Sequence, residues 1–109
     1  MAKSYKVLGQ SAPSATTNTD VYTVPSATQS VISTIVVCNR AGSAASYRIA
    51  VRPNGATIAN SHYIAYDVVI PANDSTALTM GITVDAADVI TVYASNTNLT
   101  FSVFGSEIA

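Results

Sequence analysis

Cys38 and His62 are the residues of this chain whose side chains most directly suggest covalent or acid–base chemistry. Each is the single residue of its type, and Arg40 follows two positions after Cys38. A nucleophilic cysteine needs a lowered pKa, which a nearby histidine or cation can supply. Arg40 shares a face with Cys38 only if the strand continues through the following turn. Because Cys38 follows the apolar residues 35–37, we interpret it as a small apolar side chain with a structural role.

A hydrolytic triad can be written from Ser61, His62 and Asp67, but strand geometry opposes it. Adjacent residues of a strand point to opposite faces, and the chain has no Gly-x-Ser-x-Gly nucleophile elbow. Zinc requires three or four clustered ligands, which one cysteine and one histidine do not supply. We therefore interpret His62 as a structural histidine, and we predict no enzyme, no catalytic residue, no cofactor and no metal centre.

Two further groups of residues suggest ligand binding. The acidic segments at 73–74 and 85–88 lie in predicted turns and carry the oxygen ligands that calcium prefers. Their spacing matches no EF-hand, so we interpret them as turn caps. A carbohydrate site on a β-sandwich usually needs an aromatic platform, and without tryptophan the candidates are Tyr63 and Tyr93.

The composition predicts one domain with an unusually uncharged surface. Of the 109 residues, 49% are hydrophobic and only 10% are charged, whereas an average domain has about 25% charged residues. Such a surface is easily desolvated and suits packing against other protein. Polar residues open the chain and its apolar runs are short, so we expect a soluble protein made in a cytoplasm, without leader peptide or membrane span.

Charge is divided unevenly along the chain. If strands from the two halves pair within one sheet, opposite charges face each other across it. The alternative is a head-to-tail contact between copies, basic patch to acidic patch. A net charge of −1 with no basic stripe argues against nucleic acid as a partner. The bases are Lys3, Lys6, Arg40, Arg48 and Arg52, and the acids after residue 53 are Asp67, Asp74, Asp85, Asp88 and Glu107.

Alternation of apolar and polar residues predicts β-strands along most of the chain, and no segment has helical spacing. In residues 62–70 the alternation places even-numbered side chains on one face and odd-numbered ones on the other. Short strands separated by Gly, Pro, Asn and Asp are typical of an antiparallel β-sandwich, jelly roll or barrel. We expect an all-β, jelly-roll-like sandwich with strands at 5–9, 20–24, 30–38, 45–52, 62–70, 76–84, 88–95 and 99–107.

The N-terminal segment differs from the rest, because residues 9–19 contain no large apolar side chain. We predict an extended arm at 1–19 and a sandwich domain at 20–109. The apolar patch formed by Tyr5, Val7 and Leu8 suits an arm that adds a strand to a neighbouring molecule. Alternatively, the segment from Tyr5 to Leu8 pairs within its own sheet. The sequence does not decide between these two arrangements.

Six short segments are distinctive as a set, and they span most of the chain from about Val7 to Glu107. They are DVYTVP from Asp20, IVVCNR from Ile35, AVRPNG from Ala50, HYIAYD from His62, IPAND from Ile70 and FGSE from Phe104. Together they resemble small structural proteins of tailed-bacteriophage virions. Members of that group are β-sandwich accessory proteins, found as capsid decoration or as neck and tail components.

The resemblance implies a non-enzymatic capsid decoration (cement) protein, assembled in the host cytoplasm and located in the virion. Its partners would be further copies of itself, as a homotrimer, and the major capsid protein or other virion proteins. The alternative is a neck, tail or baseplate fibre component, or a receptor- or glycan-binding module that uses loops 53–61 and 96–98. The contact residues we expect are Tyr5, Lys6, Val7 and Leu8 in the arm, with Arg40, Arg48 and Arg52 on the basic half.

Overall fold

The computed structural model describes residues 3–109, which form nine β-strands and two short 3-10 turns. The turns, Pro53–Gly55 and Asn60–His62, lie between the fourth and fifth strands. The strands are β1 (Lys3–Ser11), β2 (Thr19–Thr23), β3 (Gln29–Asn39), β4 (Ala45–Arg52), β5 (Tyr63–Ile70), β6 (Ser75–Leu78), β7 (Ile82–Val84), β8 (Val89–Ala94) and β9 (Leu99–Ile108).

The strands form two antiparallel sheets that pack face to face. Sheet I has the order β1-β9-β3-β6, with β7 also paired to β3, and sheet II has the order β2-β8-β4-β5. Successive strands therefore alternate between the sheets at the start of the chain, as in a jelly roll built from two Greek keys. The predicted all-β antiparallel sandwich of jelly-roll type is confirmed.

The core lies between the sheets and is built from the inward-facing residues that the alternation predicts. In β3, Ile32, Ile35 and Val37 are at most 1% exposed. Between the two sheets, the ring of Tyr47 meets that of Phe101 edge to face, with 6.3 Å between centroids. The other core residues are Tyr22, Val24, Ala45, Ile49, Ile70, Val84, Ile90, Val92, Ala94, Leu99 and Val103.

The predicted strand at 76–84 is wrong, because the chain breaks there into β6 and β7. Both strands pair with the same edge of β3, β7 opposite residues 30–32 and β6 opposite residues 35–38. Between these two stretches β3 has a bulge, at the register shift from Ile32 to Thr34. The intervening residues 79–81 leave the sheet, and Gly81 takes a φ of +64°, which suits glycine.

The predicted alternation of residues 62–70 is also wrong. His62 belongs to the preceding 3-10 turn, and the pairing of β5 with β4 shifts register twice. Asp67 has a φ of +50°, the left-handed conformation that asparagine and aspartate tolerate better than most residues. Each shift changes which side chains share a face, so β5 does not divide simply into odd and even residues.

Residues 3–11 form the edge strand β1, which pairs with β9 of the same chain from Lys3 to Ser11. Of the two alternatives for the segment from Tyr5 to Leu8, pairing within its own sheet is therefore the one found. The following loop crosses to sheet II, where Pro13 is buried and the Thr16 N–H donates to the Ala94 carbonyl at 2.8 Å.

Opposite charges face each other within the sheets. Lys6 on β1 pairs with the adjacent strand β9, and Arg48 on β4 pairs with the adjacent strand β5. This arrangement matches the first of the two interpretations of the divided charge. Exposed pairs of this kind contribute about 0–1 kcal/mol each, so their main effect is to define register and surface charge. The pairs are Lys6–Glu107, Arg48–Asp67 and Arg52–Asp20.

A hydrogen-bond chain through Tyr22 links the two sheets on the β1–β2 side. The Tyr22 hydroxyl donates to Oε2 of Glu107 at 2.6 Å and accepts from the Ser30 hydroxyl at 2.7 Å. Burial, with the bond to Glu107, raises the pKa of Tyr22 to about 12. The hydrogen bonds from Lys6 and Tyr22 lower the pKa of Glu107, so its contribution to stability is lost as pH falls through that lowered value.

We expect a Tyr22→Phe variant to be about 1–2 kcal/mol less stable than wild type near pH 8, because a hydrogen-bond donor and acceptor are lost. A raised folded-state pKa stabilises the protein below the ordinary value of 10, and that gain disappears as pH rises toward about 12. The stability difference between the two proteins should therefore shrink above pH 10 in urea unfolding. A Tyr5→Phe control should show no such trend, and a constant Tyr22→Phe difference would contradict the prediction.

Candidate functional site

Cys38 lies in sheet I, whereas His62 lies in the 3-10 turn that leads into sheet II. Cys38 lies in β3 of sheet I between the buried Val37 and Asn39, so it faces outward and is partly exposed rather than lying in the core. His62 precedes β5 of sheet II, and its Nδ1 accepts the Ala59 N–H at 3.1 Å. This hydrogen bond joins His62 to the residue just before its own 3-10 turn.

The predicted acidic segments cap turns. The Asp88 carboxylate accepts the N–H groups of Asp85 at 2.8 Å and Asn54 at 2.7 Å. Oδ1 of Asp74 accepts the Ser75 N–H at 2.8 Å. Among residues 3–109, no group of three or more His, Cys, Asp or Glu side chains is close enough to hold a metal ion.

The predicted contact residues of β1 have different environments. Tyr5 and Val7 are 79% and 48% exposed on the outer face of sheet I. Leu8 packs partly against the core, and Lys6 is paired with Glu107. Tyr5 and Val7 are therefore the exposed apolar members of this set, and Lys6 is exposed but paired.

The predicted basic contact residues do not form one surface. Arg40 follows β3 at the start of the loop to β4, where its guanidinium donates to the Thr97 carbonyl at 3.3 Å. Arg52 donates to Asp20 at 2.8 Å. Arg48 lies on the outer face of sheet II, in the middle of a group of tyrosines, and this group is the most organised polar feature of the surface.

Five residues form this group, which we call the aromatic cluster: Arg48, Tyr63, Tyr66, Asp67 and Tyr93. The Arg48 guanidinium carbon lies 4.2 Å from the ring centroid of Tyr66 and 4.2 Å from that of Tyr93. Its Nε donates to Oδ1 of Asp67 at 2.6 Å. The rings of Tyr63 and Tyr66 meet edge to face with centroids 4.8 Å apart. The cation is thus held between two rings and a carboxylate.

Three neighbouring strands position the cluster. Tyr93 on β8 is the direct cross-strand partner of Arg48 on β4. On the other side of Arg48, the register of β5 shifts, so that Tyr66 and Asp67 lie opposite a single residue of β4. A bulge re-aims side chains in this way, which lets two consecutive residues of β5 both reach the guanidinium.

Part of the aromatic cluster is predicted from the sequence. Tyr63 and Tyr93 are the aromatic residues predicted for a platform, and both belong to it. Tyr66 is missed, since unbroken alternation places it on the face opposite Tyr63, whereas the two rings are in contact. The aspartate at position 67 is a weak signal of the bulge, because this residue tolerates positive φ.

The cluster has little net charge and an accessible aromatic surface. The hydrogen bond to Asp67 raises the pKa of Arg48, and the neighbouring carboxylate offsets the charge of the guanidinium. Tyr66 is 54% exposed. Beside it, Asn60, Tyr63 and Tyr66 line a shallow depression of about 350 Å³. An aromatic wall with an amide at its rim can bind a small ligand that has both apolar and polar surface.

Comparisons with known proteins do not assign a family to the chain. No protein-family model matches it, and no curated protein matches its sequence. Within residues 3–109, none of the helical segments has the length and apolar character needed to cross a membrane.

Proposed function

We propose that this chain is a non-enzymatic structural protein of a phage virion, a capsid decoration protein that binds neighbouring capsid subunits and associates with its own copies as a trimer. The observation that carries the proposal is the position of the exposed apolar side chains. Tyr5 and Val7 lie on the edge strand β1, while Ile64, Val68 and Val69 lie on the edge strand β5.

The two edge strands lie on opposite sides of the sandwich. In sheet II, β5 and β2 are the two edges, and β1 of sheet I contacts β2. A molecule with different apolar patches on opposite sides suits a head-to-tail contact, which closes into a ring when the rotation between copies allows it. Exposed apolar patches on a small soluble protein commonly mark surfaces that another protein covers.

Both edge strands are also irregular. The register shifts between Val7 and Gly9 in β1, and it shifts twice in β5. Bulges at sheet edges limit uncontrolled pairing with strands of other molecules. This irregularity favours association through side chains over an added strand. Each contact can be modest in area, because many copies on one shell act together.

The proposal is tested by measuring the mass of the purified chain at micromolar concentration by sedimentation, and then its binding to shells assembled from the capsid protein alone. We expect a trimer that cosediments with the shells. The paired changes Tyr5→Ser with Val7→Thr, and Ile64→Thr with Val68→Thr, should each weaken association about tenfold or more, equivalent to about 1.4 kcal/mol.

Met80 supplies the control, since it is 44% exposed but lies between β6 and β7 and so belongs to neither β1 nor β5. A Met80→Gln variant should associate as wild type does. A wild-type monomer that leaves the shells undecorated would refute the proposal, as would edge-strand variants that bind normally.

A further inference from the structure

The outer face of sheet II presents an aromatic surface that the assembly proposal does not use. Val68 is the cross-strand partner of the buried Tyr47 and so points toward the inner side of β5. Tyr63 and Tyr66 lie with Arg48 on the outer side. A partner that packs on Val68 can therefore leave the depression beside these two rings open.

Contacts within the chain hold the Tyr66 ring of the cluster in place. Arg48 covers one face of the Tyr66 ring, and its guanidinium is in turn held by Tyr93 and Asp67. The Arg48 side chain is 23% exposed. Because these contacts fix the Tyr66 ring beforehand, a ligand that stacks on it does not have to order it, and that lowers the entropic cost of binding.

The chemistry of the depression selects a class of ligand. Two tyrosines and Asn60 line it, and an asparagine side chain offers both a donor and an acceptor. The guanidinium beside it is already paired with a carboxylate, so an anionic ligand finds no free positive charge there. A pyranose ring has an apolar C–H face that packs on an aromatic ring and hydroxyls that meet an amide.

We infer that the depression between Tyr63, Tyr66 and Asn60 binds a neutral oligosaccharide of pyranose rings. The volume of about 350 Å³ suits one or two sugar rings. This site would give the protein an adhesive activity in addition to its structural one, and it does not depend on the assembly proposal.

The test is an NMR titration of the full ¹⁵N-labelled chain with cellotriose and chitotriose as neutral probes and trigalacturonate as an anionic one. We expect the neutral probes to shift amide signals of residues 60–67 with a Kd on the order of 1 mM. Tyr63→Ala should weaken this binding about tenfold without touching Arg48, and Tyr66→Ala should do the same. Met80→Gln removes an exposed apolar side chain outside both the depression and the two contact strands, and it should bind as wild type does.

Three results would overturn the inference: no shift with either neutral probe, binding of trigalacturonate alone, or unchanged binding by both the Tyr63→Ala and Tyr66→Ala variants. The spectrum of each variant reports whether it is folded, and Tyr63→Phe, which keeps the ring, should retain binding. The sedimentation experiment is independent of all of these measurements, so the failure of one proposal is distinguishable from the failure of the other.

Discussion

A Gly105→Ala variant is expected to be about 3 kcal/mol or more less stable than wild type, a large effect for one added methyl group. A Cβ atom at position 105 would lie 2.0 Å from the Val31 carbonyl oxygen and 3.0 Å from the Ile32 Cα. Both atoms belong to the backbone of β3, which cannot rotate away as a side chain can. The close approach occurs beside the bulge of β3, where Gly105 on β9 pairs with Ile32.

Urea unfolding of Gly105→Ala and Gly42→Ala gives the comparison. Position 42 lies in the loop between β3 and β4, and a Cβ there would have no atom within 4 Å. We expect the control to change the free energy of unfolding by about 0.5 kcal/mol or less. Equal stability of the two variants would mean that β3 and β9 can separate locally at little cost.

An Asn39→Asp variant is expected to be about 4 kcal/mol less stable than wild type. Asn39 is 1% exposed, and its Nδ2 group donates to the carbonyls of Ser43, Ile70 and Pro71 at 2.9, 3.3 and 3.2 Å. Its Oδ1 accepts the Ala41 N–H at 2.9 Å. The side chain thereby ties the loop after β3 to the end of β5. Aspartate would place a carboxylate oxygen against those carbonyls and bury a negative charge.

Thermal and urea unfolding of Asn39→Asp measure this loss, and Asn18→Asp provides the matched control. Asn18 is exposed in the loop between β1 and β2, so the same chemical change there should alter stability by about 0.5 kcal/mol or less. If the Asn39→Asp variant were as stable as the control variant, the Asn39 amide would not be what holds the loop after β3 against the end of β5.

The strands themselves are largely predictable from local pattern. Residues 45–52 alternate cleanly and form β4 with the predicted bounds, and the apolar run before Asn39 forms the buried central strand β3. Both are interior strands with a partner on each side, and their buried residues alternate except where the pattern shifts, after Ile32 in β3 and at Ala50 in β4. The segments that depart furthest from the predicted strands, residues 62–70 and 76–84, each lie at one edge of a sheet.

In the candidate site, too, the local sequence pattern predicts some features, whereas others depend on how the strands pair. Tyr63 and Tyr93 are identifiable as exposed aromatic residues, and opposite charges are expected across a sheet. The position of Arg48 between Tyr66 and Tyr93 cannot be predicted from the sequence, because it depends on a register shift in β5. A shift of one residue exchanges the faces of a strand, and within residues 62–70 only Asp67, a residue type that tolerates positive φ, indicates where the shift occurs.

Local residue choice sets the period, the turns and the scarcity of charge, and these are enough to define an all-β sandwich with an easily covered surface. The pairing order β1-β9-β3-β6 and β2-β8-β4-β5, the bulges, and the close contact at Gly105 are properties of strands far apart in the chain. They depend on which backbones meet and in what register, and that is decided only when the two sheets pack and bury their shared core.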